Sequence, residues 1–268
     1  MIRRAACIGT VLAAALLGAS PGAQAPAAEA PAAVAEPWKP GLRVAARFAR
    51  GRVGRIAVAV RTPTRAWEWR AERQFPSASV LKAMLLVAYL NKGSVRDRPL
   101  GPGERALLAP MIRRSANRPA NRLIGIVGAR GLTGLARRAG MRRFVPVMGI
   151  WGTSRITASD QARFFQRIDR FVPRRHRDYA MSLLKTIVPS QRWGIAQVGP
   201  PGWRLYFKGG WGSGSGGVEN QVALLKLGHQ RVSVAILTEN NGSHAYGKWT
   251  LRGIAWRLMR GLPLGVVP

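Results

Sequence analysis

Two short segments early in the chain have the residue pattern of β-strands. Arg55–Arg61 (RIAVAVR) and residues 67–71 are rich in branched, small apolar or aromatic side chains, and the turn-forming sequence Thr-Pro-Thr at 62–64 separates them. After Pro-Ser-Ala at 76–78, residues 79–90 form a nearly continuous apolar run of helix-forming residues. The pattern predicts two strands followed by a buried helix.

Helical patterns continue through the middle of the chain. They are interrupted by Gly-Pro-Gly at 101–103 and again near Pro119. A further helix is predicted from about residue 159 to residue 168. Thr157 and Asp160 have the spacing of a capping box, in which two side chains satisfy backbone N–H groups of the first turn, and they mark the start of that helix.

The last third of the chain returns to strand patterns and ends in a helix. Strands are predicted at residues 205–208, 221–227 and 232–237. Residues 246–259 have helical spacing of apolar residues and are expected to pack on these strands through Trp249, Ile254 and Leu258. This order of elements predicts an α+β fold, with a sheet built from both ends of the chain and an inserted helical subdomain.

The first 25 residues have the features of a signal peptide. Arg3 and Arg4 supply positive charge, residues 5–18 are apolar, and Ala-Gln-Ala at 23–25 fits a cleavage site. The apolar run is shorter than the ~20 residues that span a bilayer, so cleavage near Ala25 is favoured over an uncleaved anchor. The protein is therefore predicted to be exported, to the periplasm, the cell wall or the medium.

Composition divides the rest of the chain into a linker and one domain. Residues 26–41 are rich in Ala and Pro and lack apolar periodicity, which predicts a flexible linker. Residues 42–268 are predicted to form a catalytic domain, with an α/β part at 42–75 and about 186–268 and a helical part at 76–185. The only cysteine, Cys7, precedes the predicted cleavage site, so no disulfide is expected.

The charge balance is strongly basic. Lys and Arg total 43 against 11 acids, which gives a net charge of +32, and 36 of the 43 are arginine. Such a charge favours polyanionic partners. No nucleic-acid partner is expected, because the chain has no helix-turn-helix, zinc-finger or RNP-like motif. For an exported protein, an anionic wall polymer or a membrane surface is the better candidate; an arginine bias with no specific partner is the alternative.

Ser79-Val80-Leu81-Lys82 is a Ser-x-x-Lys sequence at the start of the predicted helix, where its two polar side chains share one face. A serine hydroxyl needs a base to act as a nucleophile, and a lysine in an enclosed site can be one. A second such sequence, Ser182 to Lys185, is interpreted as chance on an ordinary helix.

Two further motifs follow Ser79 in the chain. Ser115-Ala116-Asn117 lies in a predicted loop between helices, and Lys208-Gly209-Gly210 ends a predicted strand. Taken singly, Ser115 and Asn117 fit helix caps, and Lys208 fits a solvated cation at a strand end. No Ser-x-Asn follows Lys185, so the second Ser-x-x-Lys is not followed by the same series of motifs.

The ordered triple Ser-x-x-Lys, Ser-x-Asn and Lys-x-Gly resembles the fingerprint of class A β-lactamases and penicillin-binding proteins. The segments FPSASVLKAMLL, SANRPANRLIGIVGARGLTGLARRAGM and ITASDQARFF resemble this family beyond the motifs, and the similarity can be followed from about residue 52 to residue 258. The resemblance implies the penicillin-recognising SxxK fold, with an antiparallel sheet, flanking helices and an inserted helical subdomain. Ser79 and Ser115 are closer together than is usual in the family, so that subdomain is expected to be shortened.

The resemblance implies a role for each motif residue. Ser79 attacks an amide or lactam carbonyl and becomes acylated, while Lys82 is a general base or proton relay. Ser115 passes a proton to the leaving nitrogen, and Asn117 hydrogen-bonds Lys82 and the substrate. Lys208 attracts the substrate carboxylate and tunes Ser115.

The backbone N–H groups of Ser79 and Trp211 would form the oxyanion hole. No cofactor is implied. The expected substrate is a β-lactam or a D-alanyl peptide of peptidoglycan, and the oligomeric state stays open.

The sequence departs from the family pattern where the acyl group is released. The segment matching the Ω-loop, residues 144–156, contains no acid, and the nearest carboxylate is Asp160. Asn121 matches the asparagine that steadies the family's deacylating glutamate. Deacylation is therefore expected to be slow, with Lys82 itself as the remaining candidate base, as the resemblance to penicillin-binding proteins suggests. Glu219 is a further alternative if release proves rapid.

The sequence also departs from the family pattern at the residues that bind the substrate carboxylate. Gly209 replaces the family's usual hydroxyl residue, and no arginine follows the loop 212–217. Gly210, Ser213 and Ser215, with Asn121 and Gly209, remain possible substrate-binding residues.

Other chemistries are not favoured. The three histidines, His176, His229 and His244, are scattered, which argues against a metal site, and there is no G-x-S-x-G sequence. Four tryptophans, Trp151, Trp193, Trp203 and Trp211, fit either a substrate groove or, for most of them, the core. The rival to an enzyme is a wall-binding protein that keeps the fold with little or no catalysis.

Overall fold

A computed structural model describes residues 38–212 and 217–263 of the chain. The predicted signal peptide, most of the predicted linker, Ser213 and Ser215 lie outside these residues.

A five-stranded antiparallel sheet forms the centre of the molecule. Its strands lie in the order β2-β1-β7-β6-β5. They are β1 (Arg55–Arg61), β2 (Ala66–Trp69), β5 (Arg204–Gly212), β6 (Val218–Leu227) and β7 (Gln230–Glu239). A separate two-stranded ladder pairs β3 (Phe75–Pro76) with β4 (Arg155–Ile156). The sheet joins both ends of the chain, which confirms the predicted α+β fold.

The helices flank this sheet, and most of them come from the inserted block. They are α1 (Leu42–Arg50), α2 (Leu81–Leu90), α3 (Gly93–Arg96), α4 (Pro102–Arg113), α5 (Asn117–Arg138), α6 (Ala158–Gln166), α7 (Ile168–Phe171), α8 (Arg177–Lys185) and α9 (His244–Met259). Helix α2 is buried along its whole length, as its nearly all-apolar sequence predicts. Helix α5 contains a kink at Gly128. Its φ of 67° lies in the left-handed region, which glycine adopts without the steric cost that a side chain would bring.

Helices α6 and α9 cover opposite faces of the sheet. Ser233 on β7 donates a hydrogen bond of 2.7 Å to the Ala162 carbonyl of α6. Glu219 on β6 lies beneath Gly247 of α9. Ser233 pairs with Leu224, which lies an odd number of residues from Glu219 on the same strand, so the two contacts are on opposite faces. The sheet is therefore the middle layer of three.

The predicted packing of helix α9 is wrong at one residue. Ile254 and Leu258 are buried, but Trp249 is 72% exposed. Helical residues advance about 100° each, so Trp249 lies about 140° around the helix from Ile254. The spacing of these three residues therefore does not place them on a single face.

Helix α1 was not predicted as a helix, although its residues were placed in the folded domain, and the residues just before it were assigned to the linker. The helix buries only alanines, Ala45, Ala46 and Ala49, which give a weak apolar pattern. Trp38, assigned by composition to the linker, donates from Nε1 to the Arg260 carbonyl at 3.2 Å, and its ring lies 6.3 Å from that of Trp67. The packed part of the chain therefore includes residues 38–41.

The predicted capping box at helix α6 is only half formed. The Thr157 hydroxyl accepts a hydrogen bond from the Asp160 N–H at 3.1 Å. The Asp160 carboxylate, however, accepts the N–H groups of Arg142 and Arg143, each at 2.9 Å. Asp160 thus ties the segment after α5 to the start of α6, and both of its oxygens are occupied.

Candidate active site

Ser79 lies in a single 3₁₀ turn, Ala78–Val80, that leads directly into helix α2. The turn is tied to the Ω-like segment, because the Ser77 N–H donates to the Ser154 carbonyl at 2.8 Å. Ala78 has a φ of +41°, a region that costs a non-glycine residue about 1–2 kcal/mol. The strained backbone sets the direction in which Ser79 leaves the turn, and such strain is concentrated at functional sites.

Lys82 lies one helical turn after Ser79 and is completely buried. Its ammonium donates to Asn117 Oδ1 at 2.7 Å, to Ser115 Oγ at 3.3 Å and to the Ser115 carbonyl. It also lies 5.0 Å from the centre of the Trp151 ring. Burial lowers the pKa of Lys82 to about 7, so a large fraction is free amine at neutral pH.

Ser115 lies between two buried ammonium groups. Besides Lys82, Lys208 donates to Ser115 Oγ at 2.9 Å and to the Gly209 carbonyl at 2.8 Å. Burial, and then the charge of Lys82, lower the pKa of Lys208 well below its usual value. Ser115 itself has a φ of +56°, so it shares with Ala78 the strained backbone region. The three predicted motifs therefore meet at one hydroxyl group.

Strand β5 runs against the turn that carries Ser79. A side-chain carbon at Gly210 would lie 2.8 Å from the Ser79 nitrogen and 2.7 Å from the Val80 nitrogen, so only glycine fits. The backbone on both sides of the proposed oxyanion hole is therefore in close contact. Trp211, whose amide is the other expected oxyanion donor, is the next residue along β5. Strand β5 continues to Gly212 rather than ending at Gly210 as predicted.

Gly209 faces aromatic rings. A side-chain carbon there would lie 3.6 Å from the Trp193 ring and 3.8 Å from the Trp211 ring, which is ordinary contact. The position at which the resemblance leads one to expect a hydroxyl is therefore covered by two tryptophans. Trp193 and Trp203 are buried, as core packing predicts, whereas Trp151 and Trp211 are partly exposed at the site.

The segment expected to carry a deacylating acid carries a tryptophan instead. Trp151 Nε1 donates to Asn121 Oδ1 at 2.7 Å. Asn121, matched by resemblance to a residue that steadies a glutamate, is thus held by an indole. The same indole ring lies over the Lys82 ammonium. Trp151 occupies this corner of the site, and its indole is hydrogen-bonded to Asn121.

Glu219 is not placed to act as a base at this site. It pairs with Trp211 across the β5–β6 ladder, while Lys208 pairs with Val222, an odd number of residues along β6. The side chains of Glu219 and Lys208 therefore point to opposite faces of the sheet. Glu219 lies instead beside His244, with which its carboxyl group is paired. The alternative base named from the sequence is not supported by this geometry.

The Glu219–His244 pair is a feature that sequence analysis missed. Burial raises the pKa of Glu219 to about 8 and lowers the pKa of His244. The second oxygen of Glu219, Oε2, has no partner among the described residues. The His244 ring lies 5.7 Å from Trp193 and 6.0 Å from Trp211. A lone acid on an apolar strand was the only available signal, because its partner lies 25 residues away.

The remaining sequence candidates lie outside this cluster. Ser182 and Lys185 are exposed on helix α8, as expected of a chance motif. His229 is exposed in the turn after β6, and buried His176 contacts the Val95 carbonyl. Within residues 38–212 and 217–263, no three His, Cys, Asp or Glu side chains are grouped to hold a metal ion.

The antiparallel sheet, the flanking helices and the three converging motifs define a β-lactamase-like fold of the SxxK superfamily. Residues 103–260 match the model of the beta-lactamase enzyme family, and the chain belongs to this family. It is thus a hydrolase of the β-lactamase type. No curated protein sequence matches the chain significantly.

Solved β-lactamase structures share the fold at low sequence identity. One from Sphaerobacter thermophilus is 20% identical with a TM-score of 0.70, and the match covers 82% of this chain and 95% of that one. The class A enzyme from Mycobacterium abscessus is 18% identical with a TM-score of 0.69, covering 82% and 98%. One from Desulfarculus baarsii is 22% identical with a TM-score of 0.65, covering 80% and 96%.

Proposed function

We propose that this protein is an exported serine hydrolase that forms an acyl-enzyme at Ser79 with β-lactams or D-alanyl peptides and releases the acyl group slowly. The observation that carries the proposal is the shared hydrogen-bond cluster of Lys82, Ser115, Asn117 and Lys208 beside Ser79. These groups come from α2, the α4–α5 loop, the first residue of α5, and β5, and no structural role requires two buried lysines to meet at one serine.

Acylation can be written with every proton accounted for. The Ser79 hydroxyl oxygen bonds to the substrate carbonyl carbon as its proton moves to the free amine of Lys82. The amides of Ser79 and Trp211 stabilise the negative oxygen that forms. When the carbon–nitrogen bond breaks, the Ser115 hydroxyl gives its proton to the leaving nitrogen. Ser115 then recovers a proton from the Lys82 ammonium, to which it is hydrogen-bonded.

Release of the acyl group lacks an evident base. A water attacking the ester must lose a proton, and a positioned base contributes about 10²–10⁴-fold to such a step. The Ω-like segment offers the Trp151 indole at this position, Asp160 is occupied by backbone amides, and Glu219 faces the other side of the sheet. Lys82 is the remaining group. We therefore propose a long-lived acyl-enzyme rather than rapid turnover.

The first test is covalent labelling of the chain from residue 26 onward by a fluorescent penicillin. Wild-type protein should be labelled, and Ser79→Ala should not. Ser182→Ala is the matched control, because it removes the serine of the exposed second Ser-x-x-Lys and should label fully. Equal labelling of Ser79→Ala and wild type would reject Ser79 as the nucleophile.

The same preparation tests the slow release. Intact-mass measurements after excess antibiotic is removed should show the adduct persisting for many minutes, while nitrocefin hydrolysis stays slow. Rapid and complete nitrocefin turnover would contradict the slow step and leave the nucleophile assignment intact. Absence of any adduct in the wild type would favour the rival function, a wall-binding protein with little catalysis.

A further inference from the structure

Helix α9 exposes two tryptophans on its outer side. Trp249 is 72% exposed and Trp256 is 52% exposed. Tryptophan is usually well buried in folded proteins. The two residues are seven positions apart, so they lie on nearly the same side of the helix, separated by about 10 Å along its axis. This exposure has a cost in water unless another surface covers the rings.

Arginines alternate with these tryptophans. Arg252 is exposed between them, and exposed Arg260 follows at the end of the helix. The Arg260 guanidinium lies 5.8 Å from the Trp256 ring. We call the four residues Trp249, Arg252, Trp256 and Arg260 the Trp–Arg face. The face combines apolar and cationic groups in a single stripe.

The surroundings of the Trp–Arg face are also cationic. Helix α1 packs beside α9, with the Arg257 guanidinium 4.0 Å from the Phe48 ring. Neither helix contains an aspartate or a glutamate, and α1 exposes Arg43 and Arg47. The Trp–Arg face therefore has no neighbouring acid on these two helices to neutralise it.

We propose that the Trp–Arg face docks on the surface of an anionic lipid bilayer. Indole rings settle at the boundary between headgroups and acyl chains, where one edge is apolar and the other is wet. Arginines beside them can bind lipid phosphates, which gives the charge complementarity that a neutral surface lacks.

A phosphate polymer fits this face less well than a bilayer does. The outer side of a helix is convex, whereas a polymer chain is held best by a concave site. The protein has such a site elsewhere, a cavity of about 520 Å³ lined by Arg61, Arg65, Arg138, Arg163 and Arg167 among others, with no acid among its lining residues. Exposed indoles contribute little to binding phosphate, but they contribute directly to insertion at a bilayer boundary.

The test is co-sedimentation of the chain from residue 26 onward with lipid vesicles. Vesicles of phosphatidylcholine with roughly one-third phosphatidylglycerol are compared with pure phosphatidylcholine at about 0.1 M salt, where surface charges still act over about 10 Å. Wild type should bind the mixed vesicles preferentially. Trp249→Ala with Trp256→Ala should weaken that binding about tenfold, because the charge is kept and the apolar anchor is lost.

A matched charge control separates this face from the overall charge. Arg252→Gln with Arg260→Gln should lose most of the preference for anionic lipid. Arg174→Gln with Arg175→Gln removes the same charge from an exposed turn before α8 and should bind like wild type. Equal losses in the two arginine variants would overturn the proposal in favour of general electrostatic attraction.

A second measurement needs no variant. Vesicles with brominated acyl chains should quench part of the wild-type tryptophan fluorescence, because inserted indoles reach the bromine atoms. Binding without quenching, or binding to soluble polyphosphate with none to vesicles, would overturn the proposal. Circular dichroism melting of each variant should match wild type, since the substituted side chains are exposed.

Discussion

At the scale of the residue, the Ser115 hydroxyl is the meeting point of the site. It accepts hydrogen bonds from both Lys82 and Lys208, which occupy its two lone pairs. Its own proton must then point away from both ammonium groups, toward the space that a substrate would fill. A neutral hydroxyl held this way is an effective donor to a leaving nitrogen.

The lowered pKa of Lys82 predicts how acylation depends on pH. Only the free amine accepts the Ser79 proton, so the acylation rate constant should rise about tenfold per pH unit below 7 and level off above it. Rates of labelling by a fluorescent penicillin between pH 5 and pH 9 measure this. Lys82→Arg should be inactive throughout, because arginine cannot be a base in this range. A flat wild-type profile would argue against Lys82.

Glu219 should make stability fall as pH rises. The folded state binds its proton up to about pH 8, whereas the unfolded state releases it near 4.5, so the free energy of unfolding decreases between these values. Glu219→Gln should remove roughly 3–4 kcal/mol of this decrease, measured by denaturant unfolding at pH 5 and pH 8. Asp97→Asn, at a carboxylate 84% exposed, is the control and should follow wild type.

At the scale of the element, the contact between β5 and the Ser79 turn fixes the geometry of the site. A side-chain carbon at Gly210 would collide with backbone atoms of Ser77, Ser79 and Val80, none of which can rotate away. The contact sets the distance between the two segments that would supply the oxyanion donors. The spacing of these two segments therefore depends on the absence of a side chain at Gly210.

Gly210→Ala should separate these segments. We expect the acylation rate constant to fall about 10²-fold, as it does when an oxyanion donor is displaced. Gly209→Ala, one residue earlier, adds its carbon at ordinary distance from two tryptophan rings and should change the rate only a few-fold. Labelling rates of the two purified variants provide the comparison. Similar rates in both would show that the close contact does not set the geometry.

Sequence predicted the elements better than their contacts. The central apolar residues of β1 and the apolar run of α2 are all buried, as their sequences indicate, so both elements were predicted. The alanine face of α1 gives little signal. The order of the three motifs indicated which residues meet. Trp151 beside Lys82 and His244 beside Glu219 could not be predicted, because these contacts depend on how separate segments pack.

At the scale of the whole molecule, the positive charge is unevenly compensated. Some acids form ion pairs, as Asp169 does with Arg231 and Glu104 with Arg98. Helices α1 and α9 contain no aspartate or glutamate. Eleven acids cannot neutralise 43 basic residues, so where the acids lie decides which surfaces keep a strong positive potential. Composition gives the total charge, and only the fold shows where it is left unbalanced.

The pairing of β1 with β7 has a consequence for how the chain acquires its structure. Arg55 and Glu239 face each other across this ladder although 184 residues separate them. A chain growing from its N-terminus holds the β1–β2 hairpin long before β7 exists, so the central sheet cannot close until nearly all of the chain is available. Such distant pairing makes folding slow. Under the proposed export, a chain that crosses a membrane unfolded would benefit from this delay, because the native sheet cannot form ahead of the last third of the chain.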